Sequence, residues 1–149
     1  MAIKNYIPPS KDSVYEFYKF IHEFETEISK QPGRYNYDSP KFQKFLKEKD
    51  IEIKPVSKSK YIKDLPRNNY ITFIYGDHKD PYDDKAHDLL RHIRNSISHG
   101  LISKTAPSKR IFDISDRNKN KSLTLRSNIN EDLFFELIYK LKETLDRNV

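Results

Sequence analysis

Leu89-Leu90-Arg91-His92-Ile93-Arg94-Asn95-Ser96-Ile97-Ser98-His99-Gly100 is the stretch on which the reading of this chain turns. At about 100° per residue, Ala86, Leu89, Leu90, Ile93 and Ile97 gather on one side of a helix, the side that must face a core. Asp88, His92, Asn95 and His99 form a narrow stripe opposite, and Arg94 lies at the edge of the apolar face. The stripe is made of groups suited to chemistry. Asn95 and His99 are spaced i, i+4 and can touch. Arg94 and His99, five positions apart, diverge by about 140° on a regular helix. They meet on one ligand only if the helix unwinds at His99, or if the two side chains come from different copies of the chain.

The surrounding signals predict how this helix is framed. Asp80-Pro81 marks its start and Gly100 its C-terminal stop. Two alternating segments come next, Arg110 to Ser115 and Ser122 to Ser127, joined by the polar turn Asp116 to Lys121. A last helix, capped by Asn128 or Asn130, carries Leu133, Phe134, Leu137, Leu141 and Leu145 on one face. Upstream, Ser13 and Glu16 have the spacing of a capping box, and Val14, Phe17, Ile21, Phe24 and Ile28 stripe a helix to about Lys30. Pro32-Gly33 ends it, and Ser39-Pro40 opens a short helix with Phe42, Phe45 and Leu46. From Ile51 to Arg67 the chain is charged and irregular, extended at Ile51-Glu52-Ile53, while Tyr70 to Tyr75 reads equally as a strand or a buried linker.

Composition narrows the class of protein. The chain has 149 residues, enough for one real core and few for two. Only 36% is hydrophobic and 34% is charged, yet ten Tyr and nine Phe supply large burial per residue, so a folded domain is expected. There is no cysteine, which excludes a disulfide framework and a thiolate metal site and fits a reducing compartment. No window approaches the roughly 20 apolar residues of a membrane span, and no secretory signal opens the chain, so a soluble cytoplasmic protein is expected. The net charge of +6 attracts polyanions, nucleic acid foremost. The excess concentrates between Lys41 and Arg67, nine basic residues against four acids, and between Lys104 and Arg126, seven against two. A solvated surface explains either segment equally well.

Arg94-Asn95-Ser96-Ile97-Ser98-His99, preceded by Leu89 to Ile93 and followed by Gly100-Leu101-Ile102, resembles the signature of HEPN domains, an Arg, commonly a polar residue, and a His four to six positions after the Arg. The segment containing Phe112-Asp113-Ile114 and the terminal amphipathic helix resemble the elements after the motif in small prokaryotic members. The resemblance implies a mainly α fold, a helical HEPN-like bundle with a small antiparallel β-hairpin before the C-terminal helix, as one domain over residues 1–149. It further implies a homodimer that brings two motif copies into one cleft. Many members are metal-independent endoribonucleases of toxin–antitoxin, abortive-infection and other anti-phage systems. On that likeness Arg94 binds the scissile phosphate, Asn95 orients, and His99 is general base or acid. An antitoxin or other regulatory protein is an expected partner beside RNA, with no cofactor and no metal. Some HEPN domains are inactive and serve as binding modules, the competing expectation here.

The chemistry is coherent without the family. RNA carries its own nucleophile, the 2′-OH, so cleavage needs a proton acceptor, a donor to the leaving 5′-oxygen, and positive charge on the phosphorane. Histidine titrates near neutrality and fills either proton role, and a guanidinium fork matches phosphate oxygens. A structural explanation competes: Arg and His in a last turn complement the helix dipole, and Asn and Ser near helix ends cap.

Other constellations are weaker. Arg91 and His92 lie close enough to the motif to contact RNA, although a solvated surface suits His92 too. His78, His87 and His92 with Asp77, Asp83, Asp84 and Asp88 suggest a metal site, but His87 and His92 are not at the i, i+4 spacing of helical metal pairs. Tyr35 and Tyr37, near Arg34, are placed either to stack bases or to anchor their loop to the core. His22 reads as ordinary surface.

Overall fold

A computed structural model describes residues 6–76 and 85–146 of the chain. Among these, four α-helices (43% helical) accompany a five-stranded mixed sheet (21% strand), which corrects the expected mainly helical bundle with a single hairpin. The elements are α1 (Lys11–Thr26), α2 (Pro40–Glu48), β1 (Glu52–Val56), β2 (Tyr70–Ile74), α3 (Lys85–Ser98), β3 (Ile102–Lys104), β4 (Ile111–Arg117), β5 (Leu123–Asn130) and α4 (Glu131–Lys142). The strands run in the order β1-β2-β5-β4-β3. β1 is parallel to β2, and every other pairing is antiparallel.

The hairpin foreseen between the last two helices is real, as β4 and β5, but it is the middle of a larger sheet. β3 escapes the sequence pattern, while β2 reads equally as strand or linker and β1 only as extended, for separate reasons. All five residues of β2 are buried, so it lacks the apolar–polar alternation of a one-faced strand. β1 is an edge strand of the composition Glu-Ile-Lys-Pro-Val, where a proline without an N–H is tolerated. β3 has only three residues.

The termini of the helices follow local chemistry. The cap of α1 lies three residues before the capping box foreseen at Ser13, because the Ser10 hydroxyl accepts the Ser13 N–H at 3.2 Å. It stops at Thr26, and a 3₁₀ turn over Ile28–Lys30 completes the expected stretch. Asn130 caps α4, its side-chain oxygen accepting from the Asp132 and Leu133 N–H groups at 2.9 and 3.2 Å. No helix among the described residues is long and apolar enough to cross a membrane.

One core cluster draws Phe17, Phe20 and Phe24 from α1, Leu89, Leu90 and Ile93 from α3, Phe134, Leu137 and Leu141 from α4, and Phe112, Ile114, Leu125 and Ile129 from the sheet. Phe112 sits at its centre, with its ring centroid 5.6 Å from both Phe17 and Phe134. The loop between α1 and α2 is pinned to this core: Tyr35 is buried and the Tyr37 ring packs, tilted, against Phe42 with centroids 5.9 Å apart. Burial, with the Asp38 charge beside it, pushes the Tyr37 hydroxyl up to about 12. These tyrosines therefore anchor the loop.

α3 is the central helix. It packs on α1 along one side and on β2, β4 and β5 along another. Asp88 and His92, expected on a stripe facing away from the core, are consequently buried as well, at 5% and 1% exposure. Buried polar groups must be bonded, and these are. Asp88 accepts the Gly76 N–H at 2.8 Å and pairs with Arg91 at 3.3 Å. His87, also buried, bonds the Ile28 carbonyl at 3.1 Å.

Candidate active site

The end of α3 determines where His99 lies. The Leu101 N–H reaches back to the Ser96 carbonyl at 2.9 Å and the Gly100 N–H to the Ile97 carbonyl at 3.1 Å. This 6→1 and 5→2 pair, with Gly100 at φ +67°, is a Schellman termination, and His99 is the residue just before its left-handed glycine. The chain then enters the sheet at once: the Leu101 carbonyl accepts the Ser115 N–H at 3.1 Å, and Ile102 pairs with Ile114. His99 is thereby set beside the next residue of β4, Asp116. A Cβ added at Gly100 would meet nothing within 4 Å, so Gly100→Ala carries only the backbone penalty of the left-handed region. We expect about 1–2 kcal/mol lost in denaturant unfolding.

His99 is the exposed member of a buried array. Its side chain is 56% exposed, and its Nδ1 lies 3.5 Å from Asp116 Oδ1. That is ion-pair range but outside hydrogen-bond geometry, and Oδ1 has no other bonded partner. The other carboxylate oxygen, Oδ2, accepts the Thr124 hydroxyl at 2.7 Å and faces His92 Nδ1 at 3.3 Å. His92 Nε2 is 2.9 Å from the Ile74 carbonyl. The His92 ring thus lies between two oxygens, Asp116 Oδ2 and the Ile74 carbonyl, and when protonated it donates to both and pairs with Asp116.

A bulge builds this arrangement. Along β4, Phe112, Ile114 and Asp116 alternate inward, and Asp116 is the polar end of that row. The register slips between Asp116 and Arg117, so that Asp116 pairs with Leu125 and Arg117 with Leu123. Thr124 is the extra residue, and both it and Leu125 are buried. Re-aiming one side chain is what a bulge does, and here it brings the Thr124 hydroxyl onto the carboxylate.

Burial alone would raise the Asp116 carboxyl. The bonds from His92 and Thr124, with the charges of His92 and His99, overcome this and hold it below the ordinary carboxylate range. A carboxyl with a depressed folded pKa stabilises the fold above its unfolded value of about 3.9, and that contribution is lost as pH falls through the folded pKa. Thermal melts from pH 6 downward should therefore show a steeper acid loss for the wild type than for Asp116→Asn. Parallel curves would rule Asp116 out as the group responsible.

Arg94 is held differently. Its Nε donates to Glu25 Oε1 of α1 at 2.8 Å, its Nη2 pairs with the same oxygen, and its Nη1 donates to Asn95 Oδ1 at 3.3 Å. Asn95 is thus bonded to the arginine through its side chain and to His99 through the backbone, the His99 N–H reaching the Asn95 carbonyl at 2.9 Å. Arg94 and His99 share no bonded partner among the described residues: one turns to α1, the other to β4. The helix ends at Ser98, one residue before His99.

Arg91 and His92, expected to contact RNA, are placed behind the site. His92 is sealed under the sheet, and the Arg91 guanidinium, 19% exposed, pairs with Asp88. Of the acidic and histidine cluster considered for metal, Asp77, His78, Asp83 and Asp84 lie outside the described residues. In the second basic segment three of the seven basic residues form ion pairs, Lys104 and Arg110 with Glu131, Arg110 also with Asp132, and Arg126 with Asp113.

Sequence reasoning missed Asp116, assigning it to the hairpin turn. The turn begins later, where Asn118 Oδ1 accepts from the Asn120 and Ser122 N–H groups. The signal was the period-two row Phe112, Ile114, which continued one step places a carboxylate inside. Glu25 was missed because it comes from α1, 69 residues away in the chain.

A family model described as HEPN pEK499 p136 matches residues 14–149, and the chain belongs to that family. Searches of curated proteins and of solved structures found no match to the chain.

Proposed function

We propose that this HEPN-family chain, whose membership is consistent with a nuclease- or toxin-type module, is a metal-independent endoribonuclease. The observation that carries the reading is the exposed His99 imidazole, its Nδ1 directed at a buried carboxylate, one turn beyond an Arg94–Asn95 pair. With Nδ1 directed inward, Nε2 is left to face a ligand. His99 takes the 2′-OH proton or delivers one to the leaving 5′-oxygen, and Arg94 neutralises charge on the phosphorane. The products are a 2′,3′-cyclic phosphate and a 5′-OH. One histidine cannot readily fill both proton roles, and Arg94 and His99 point to different elements, so the working unit is a homodimer with paired motifs. A toxin or anti-phage effector acting in the cytoplasm, restrained by an antitoxin or other regulatory protein, fits this chemistry.

The competing reading is a catalytically silent module that binds nucleic acid or a partner protein. It is favoured by the Arg94–Glu25 ion pair, which occupies the guanidinium that would meet phosphate. Incubation of wild type and His99→Ala with total tRNA and mRNA in EDTA, followed by end-group analysis, separates the two. Cleavage by wild type alone, leaving cyclic phosphate, supports the enzyme. A folded dimer that binds RNA and cuts none would support the module.

A further inference from the structure

The buried array behind His99 has the parts of an orienting device. Asp116 is 2% exposed and cannot itself meet a substrate phosphate. It is fixed through Oδ2 by Thr124 and His92, while Oδ1, without a hydrogen-bond partner, faces the His99 ring. A buried carboxylate oxygen left unbonded is costly, and His99 Nδ1, a group able to satisfy it, lies 3.5 Å away. Catalytic bonds that are long in the free protein commonly tighten when ligand is seated.

We propose that Asp116 is the positioning residue for His99: its Oδ1 accepts from Nδ1–H, fixing the tautomer in which Nε2 is unprotonated and faces the substrate. The consequence for cleavage rests on the ribonuclease reading above; the tautomer itself does not. Thr124 and His92 act one step further back, by keeping the carboxylate in place. Because Oδ2 is already engaged by Thr124 and His92, the effect of Oδ1 on His99 is chiefly one of orientation. A free imidazole favours the proton on Nε2, so the proposed form is the reverse of what an exposed, unassisted His99 would show.

The test is long-range ¹H–¹⁵N correlation NMR on the full-length protein, free of RNA, at a pH where the His99 ring is neutral. Wild type should show His99 with the Nδ1–H tautomer dominant, and Asp116→Asn should return it to Nε2–H. His99 in the Nε2–H form in wild type would overturn the proposal, and this holds even if Asp116→Asn fails to fold. Thr124→Val, which keeps the carboxylate and removes one of its fixing bonds, should give an intermediate tautomer ratio. In cleavage assays Asp116→Asn should lower kcat roughly 10- to 100-fold with little change in KM, the size seen when the carboxylate that orients a metal-bound histidine is removed. An equal loss through KM alone would count against positioning. The tautomer observed as proposed in a protein that cuts no RNA would support the positioning role and defeat the ribonuclease reading.

Discussion

His99→Ala is expected to reduce RNA cleavage by on the order of 10²–10⁴-fold, the range that a positioned general acid or base contributes, while leaving the melting temperature nearly unchanged. The two halves of that expectation come from different facts. The activity loss follows because His99 is the exposed imidazole at the motif, whereas His92 and His87 are buried with their rings bonded to carbonyls. The small stability change follows from its own exposure. A side chain 56% exposed fills no core volume, and its ion-pair contact at 3.5 Å is long. Surface pairs of this kind are worth about 0–1 kcal/mol. The Schellman termination that sets its backbone uses main-chain groups alone and survives the substitution. A variant that loses activity only in proportion to lost folded protein would point to a structural histidine, as would full activity in a well-folded variant. Gly100→Ala, by contrast, should disturb stability and cleavage together, because it strains the turn that delivers His99 to β4.

How much of this was readable from the chain depended on whether the partner was local. The core face of α3, the Gly100 stop, the capping asparagine of α4 and the β4–β5 hairpin are written in spacings of a few residues, and each is present. What failed was the inference that residues opposite Leu89 and Ile93 face water. That inference holds for a helix on the surface of a bundle, but α3 lies between α1 and a sheet, and a helix covered on two sides buries polar residues where they can be bonded. His92 thus moved from candidate RNA contact to a buried ring set between the Ile74 carbonyl and Asp116. The sheet was underread because β2 is buried throughout and shows no period, while the polar composition of β1 suits an edge. Asp116 and Glu25, the groups that hold the motif histidine and arginine, come from β4 and α1, and no spacing around the motif announces them.

Arg94→Ala and Glu25→Gln should move RNA cleavage in opposite directions. Arg94 and Glu25 form an ion pair between α3 and α1, with side chains 31% and 49% exposed. If that tie mattered only for stability, either substitution would break it equally, and each would cost at most about 1 kcal/mol for so solvated a pair. If the guanidinium is the phosphate ligand, Arg94→Ala removes the charge that balances the phosphorane. Loss of one such preorganised donor typically lowers kcat by about 10²–10³-fold. Arg94→Lys should recover only part of this, since an ammonium keeps the charge and loses the fork. Glu25→Gln instead deletes the carboxylate with which phosphate must compete, so KM for RNA should fall while kcat holds. The gain should shrink as salt rises, because Arg94 and RNA phosphate attract across a partly solvated site. Steady-state kinetics on the three variants at two salt concentrations, with melts as control, give the answer. Parallel small losses in Arg94→Ala and Glu25→Gln would reduce Arg94 to a strut between helices. A large loss in the first and a lower KM in the second would establish it as the phosphate-binding residue, with Glu25 its competitor.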